Sequence, residues 1–110
     1  MVWWVSCEKY VVKSLRGRGA LCDHDTKKEG ATDILARWPT GTTWRVQVKS
    51  TEIPNRDPVW PSPEEIRRIK MTATKNEQTP VVAWVYSDRR VKFFSARSEK
   101  LIHPTDTRDI

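Results

Sequence analysis

The chain has 110 residues, with 20 Lys and Arg against 14 Asp and Glu, a formal net charge of +6 and a sequence pI ≈ 9.6. That length makes one domain with a core large enough to fold alone and no room for a separate base-reading module, and the positive balance attracts polyanions. No apolar run approaches a membrane span, Met1 to Val5 is too short for a signal peptide, and Cys7 and Cys22 do not combine with His24 and His103 at zinc-type spacing, so the expected setting is soluble, reducing and cytoplasmic.

Glu8 to Leu15 reads as a first helix: Val11, Val12 and Leu15 fall three, four and seven positions after Glu8, on one face with it. A carboxylate on an apolar stripe sits there either because the first helical turn favours negative charge or because it points into a site. Arg16-Gly17-Arg18-Gly19 follows, where either glycine can end the helix in a left-handed cap while Arg16 and Arg18 add positive charge. Asp23 to Glu29 is polar and aperiodic, so it is expected to be a loop, with Thr26, Lys27 and Lys28 leading toward Asp33.

Thr32 to Trp38 and Thr42 to Thr51 are strand-like, and Pro39-Thr40-Gly41 between them suits a three-residue hairpin loop with Gly41 left-handed. That loop pairs Trp38 with Thr42, so partners sum to eighty. Asp33 then falls opposite Gln47, and Lys49 lies two residues on, on the same face. A slip of one residue would separate them. Trp44, Val46 and Val48 take the opposite, apolar face, as a helix-covered sheet requires. A wetted polar sheet face would use similar residues, with Asp33 and Lys49 as a surface pair of little worth.

Pro54, Pro58 and Pro61 exclude regular structure around residues 55–61, leaving a lid or a subunit contact as readings. Ser62-Pro63-Glu64-Glu65 is a capping box opening a second helix, with Ile66, Ile69 and Ala73 on its apolar stripe and Arg67, Arg68, Lys70 and Lys75 adding charge. Val81 to Tyr86 reads as a strand buried on both faces, and Val91 to Ser95 as another. Residues 1–97 are expected to form the domain and 98–110 a polar tail. Of six Trp, Trp38, Trp44 and Trp84 suit the core, while Trp3, Trp4 and Trp60 suit either a subunit interface or the edge of the chain's own core.

The order of a Glu-bearing helix, Gly30-Ala31-Thr32-Asp33 and then Gln47-Val48-Lys49 resembles the PD-(D/E)XK nuclease superfamily, most of all its archaeal and phage Holliday junction resolvases and the Mrr-type nucleases. The resemblance runs from Glu8 to about Ser95. Thr32 stands where the family often has Pro, and Gln47 replaces the usual Glu, as in Mrr-type relatives.

This resemblance implies an α/β, restriction-endonuclease-like core: a mixed sheet of four to five strands flanked by helices in αβββαβ order. It implies an intracellular, metal-dependent endonuclease from an archaeal, bacterial or phage source, with Glu8, Asp33, Gln47 and Lys49 as catalytic residues. Magnesium, or manganese in its place, would be held by Asp33, Gln47, the Val48 carbonyl and Glu8, with no small-molecule cofactor. Gln47 removes a negative charge, so weaker metal binding is expected, tightened by Gln47→Glu. Branched DNA would be contacted by Arg16, Arg18, Thr26, Lys27, Lys28, Ser50, Thr51, Arg67 and Arg68. A homodimer would set two sites on the two strands of a junction. Two alternatives are an Mrr-like or phage nuclease on other branched or modified DNA, and a catalytically silent nucleic-acid-binding module.

Overall fold

A computed structural model of the chain describes residues 3–26 and 32–104, with the backbone alone described at 3–6, 25–26 and 32. Helix α1 (Trp3–Arg16) is followed by strands β1 (Leu21–Thr26), β2 (Thr32–Arg37) and β3 (Thr43–Ser50). Helix α2 (Pro63–Lys75) then leads to β4 (Thr79–Val85), β5 (Val91–Ser95) and β6 (Leu101–Ile102). The six strands form one sheet in sequence order, β3 and β4 parallel across the α2 crossover and the other neighbours antiparallel. Among the described residues no helix is long and apolar enough to cross a membrane.

Local chemistry accounts for the element ends. α1 closes in a Schellman motif, with Ala20 N donating to Leu15 O and Gly19 N to Arg16 O, and Gly19 at φ +103° takes the left-handed position. α2 opens on the expected capping box: Glu65 N donates to Ser62 Oγ at 3.2 Å and Ser62 N donates back to Glu65 Oε1 at 3.1 Å. The β2–β3 hairpin has the expected register. Trp38 N donates to Thr42 O at 2.8 Å, Gly41 sits at φ +94°, and the pairs from Ile34↔Val46 to Arg37↔Thr43 each sum to eighty.

Two differences from the sequence reading concern strands. Asp23 to Thr26, expected as loop, lies in β1, because pairing with β2 supplies what its composition does not: Cys22 sits opposite Ala36, and Asp23 accepts an ion pair from Arg37 across the ladder. Leu101 and Ile102 leave the polar tail to pair with β5, giving six strands instead of four to five.

The sheet buries both faces. Ile34, Ala36, Trp44, Val46, Val81, Ala83, Val85 and Phe93 pack against Cys7, Val11, Val12 and Leu15 of α1. On the other face Val82 packs with Ile69 of α2 and Ala96, and Trp60, Trp84 and Phe94 join them. Val81 to Val85 therefore supply both layers, as expected of a central strand. The proline-rich segment is irregular but attached: Pro58 and Pro61 are buried, and the Trp60 ring lies 6.1 Å from Trp84 and 5.6 Å from Phe94. Trp60 thus covers the chain's own core. The side chains of Trp3 and Trp4 lie outside those described.

Candidate functional site

Alternation along β2 and β3 places Asp33, Arg45, Gln47 and Lys49 on the α2 face of the sheet. This is not a wetted surface. Asp33 is 1 % exposed, Arg45 3 % and Gln47 9 %, so each needs a partner to offset lost hydration. Arg45 Nη1 donates to Asp33 Oδ2 at 3.0 Å, and its Nε donates to Gln78 Oε1 at 2.7 Å, just beyond the end of α2. Arg68, on α2, reaches the same Asp33 oxygen at 3.5 Å. One helical turn earlier, Glu65 Oε2 accepts from Gln47 Nε2 at 2.7 Å and from Lys49 Nζ at 2.7 Å. Burial raises the Glu65 pKa, but the hydrogen bonds from Lys49 and Ser62 and the Lys49 charge outweigh it and bring the carboxyl down to about 2.

Two oxygens in this cluster have no partner among the described residues. Asp33 Oδ1 and Gln47 Oε1 are both buried, and neither meets a donor among the described residues. Both can only accept, so the cluster suits an added electropositive group, and a hard divalent cation takes this type of oxygen donor. Among the described residues no three His, Cys, Asp or Glu side chains converge as a metal cluster. The donor set here is mixed, one carboxylate and one amide oxygen.

Glu8 comes from the other side of the sheet. α1 packs on the opposite face of the sheet, and the Glu8 carboxylate lies 3.8 Å from Nε2 of His24, which pairs with Ile34 on that face. Burial raises the Glu8 pKa, the His24 charge lowers it and that of Asp33 raises it. The helical stripe identified a residue facing the sheet but carried no information on which side of the sheet the helix lies. Glu8 thus lies on the α1 face of the sheet, close enough to Asp33 for that carboxylate's charge to act on it.

The expected DNA contacts divide similarly. Arg67 is exposed on α2, and Arg16 and Arg18 are exposed at the end of α1. Arg68, partly exposed on α2, reaches Asp33 Oδ2. Ser50 turns to the α1 face beside the Cys7 thiol, whose pKa burial raises and the Ser50 hydroxyl lowers. Thr51 Oγ1 accepts from Ile53 N at 3.2 Å. Thr26 ends β1 with its side chain outside those described, and Lys27 and Lys28 lie outside the described residues.

Three functional candidates were missed from sequence: Glu65, Arg45 and Arg89. Arg89 lies in the β4–β5 turn, its guanidinium 5.5 Å from the Tyr10 ring centre, and lines a groove with Lys13 and Arg18 of the α1 end. Because β3 and β4 run parallel, this turn lies at the end of the sheet where Lys49 emerges.

Neither a family model nor a curated protein matches the chain. A solved structure does: Archaeoglobus fulgidus Hjc, a Holliday junction resolvase from an archaeal hyperthermophile, superposes with a TM-score of 0.69 at 17 % identity, over 84 % of this chain and 72 % of that one. The mixed sheet with its flanking helices is thus a restriction-endonuclease-like α/β fold, shared with that resolvase.

Proposed function

We propose that the protein is a metal-dependent endonuclease that cuts phosphodiester bonds in branched DNA, with four-way junctions as its substrate. The observation that carries this reading is the pair of buried acceptors without a partner among the described residues, Asp33 Oδ1 and Gln47 Oε1, on the same sheet face as Lys49 in a fold shared with a resolvase. Asp33, Gln47 and the Val48 carbonyl would hold the cation, magnesium or manganese. When bound, it would activate water and neutralise charge on the phosphate. Lys49, steadied by Glu65, would stabilise charge developing on the phosphate oxygens or orient the attacking water. Arg45 would hold Asp33 by one oxygen and leave the other directed to the site.

DNA would approach the end of the sheet where Lys49 emerges, with the groove of Lys13, Arg18 and Arg89 on one side of the sheet and exposed Arg67 on the other. The net charge of +6 favours that approach. A homodimer would present two such sites to the symmetric strands of a junction.

A second reading has its own observation. The Arg45 guanidinium already compensates Asp33, which opposes a cation there and favours a silent binding module of the same fold. Labelled four-way junctions, flaps and plain duplexes incubated with magnesium separate these readings. Preferential nicking of junctions supports the resolvase-like enzyme, cutting confined to flaps or modified duplex supports the Mrr-like alternative, and retarded but intact junctions support the module.

A further inference from the structure

Glu65 sets the orientation of the Gln47 amide. A carboxylate only accepts, so the amide group facing Glu65 Oε2 at 2.7 Å must be Nε2. Oε1 is then turned away from Glu65, buried and without a partner among the described residues, on the face it shares with Asp33 Oδ1, which likewise meets none there. The same Glu65 oxygen receives Lys49 at 2.7 Å, while its other oxygen is anchored by the Ser62 N–H at 3.1 Å. One acid in the first turn of α2 thus fixes both polar residues of the β3 segment. Where the strand carries an amide, the facing helix carries the carboxylate.

We propose that Glu65 is a positioning residue of the candidate site: it supplies from α2 the negative charge that position 47 lacks, and it turns Gln47 Oε1 toward the divalent cation held with Asp33. This rests on the metal-dependent reading above. It also revises the expectation for Gln47→Glu. With Glu65 in place, that change sets two carboxylates at hydrogen-bonding distance, and their repulsion offsets the charge gained for the cation. Tightening requires that Glu65 be neutralised at the same time, as in the exchange Gln47→Glu with Glu65→Gln.

Titration of the full chain with manganese alone, followed by calorimetry and by the relaxation of water protons, tests this without reference to cleavage. Glu65→Gln keeps the capping box, which accepts Glu or Gln at this position, so its thermal melt stays near that of the parent. Its manganese affinity is expected to fall about tenfold or more. Gln47→Glu alone binds no more tightly than the parent, and the exchanged double variant recovers most of the loss. Parent-like affinity in Glu65→Gln, or tightening by Gln47→Glu alone, overturns the role of Glu65 and leaves the metal reading intact. Gln47→Glu leaves the cap untouched and so decides the matter even if Glu65→Gln folds poorly. A parent protein that binds no manganese overturns the metal reading and this inference together.

Discussion

Asp33 Oδ2 and Arg45 Nη1 lie 3.0 Å apart, with side chains only 1 % and 4 % exposed. Such a pair is costly to break from one side, because the survivor is a buried charge without compensation. Arg45→Met is therefore expected to lower stability by about 3–5 kcal/mol in urea unfolding. Arg68, farther away and more exposed, softens the loss, and Arg68→Ala alone costs less. Adding Asp33→Asn to Arg45→Met recovers part of the deficit, since the two groups are coupled. An Arg45→Met protein as stable as the parent contradicts the description of this pair.

The hairpin that brings Asp33 opposite the Gln47 position depends on Gly41. At φ +94° an L side chain is strained, although a methyl group there would meet no atom within 4 Å. Gly41→Ala is expected to cost about 1 kcal/mol by thermal melting, from the backbone alone. A neutral or stabilising effect contradicts the left-handed closure.

Tyr86 ties the proline-rich segment to the sheet: its hydroxyl donates to Asp57 Oδ1 at 2.8 Å. Burial, then the hydrogen bond and charge of Asp57, raise its pKa from 10.0 to about 12. A folded-state value above the unfolded one means stabilisation that is full below about pH 10 and lost as pH rises through about 12. Tyr86→Phe is expected to cost about 1 kcal/mol at neutral pH. In urea unfolding of both proteins, the gap narrows across that alkaline window. A gap that widens there contradicts the assignment.

Much of this arrangement was legible because short signals determine it. Pro39-Thr40-Gly41 sets the loop length, loop length sets register, and register puts positions 33, 45, 47 and 49 on one face. Ser62 and Glu65 mark the start of α2 in the same local way. What the sequence concealed depends on distant partners. Asp23 to Thr26 becomes a strand only by pairing with β2, and Glu8 faces the sheet from a side that no helical periodicity reveals. Glu65 was passed over because the capping box already explained an acid there; the path of the chain from β3 to α2 is what brings its second oxygen to Gln47 and Lys49. Alternation alone puts Arg45 on the same face as Gln47, two residues away on β3, but its burial depends on the packing of α2 over that face.

Lys49→Ala, and Asp33→Ala under conditions where a thermal melt shows that it remains folded, separate chemistry from binding. On the proposed reading each removes a group that acts on the reacting phosphate or holds the cation, so junction cleavage is expected to fall about 10²-fold or more. Gel-shift affinity for the junction changes little, because exposed Lys and Arg elsewhere supply most of the attraction. Equal losses of cutting and binding would make these residues part of the DNA-contact surface instead.

The most direct measurement is cleavage of an end-labelled four-way junction by the purified protein, with magnesium, with manganese and with chelator. The expected result is nicking that requires a divalent cation, favours the junction over linear duplex and disappears in Lys49→Ala. A junction that is bound and never nicked with either metal would contradict it, and would make the buried cluster around Asp33 a structural element of a binding protein.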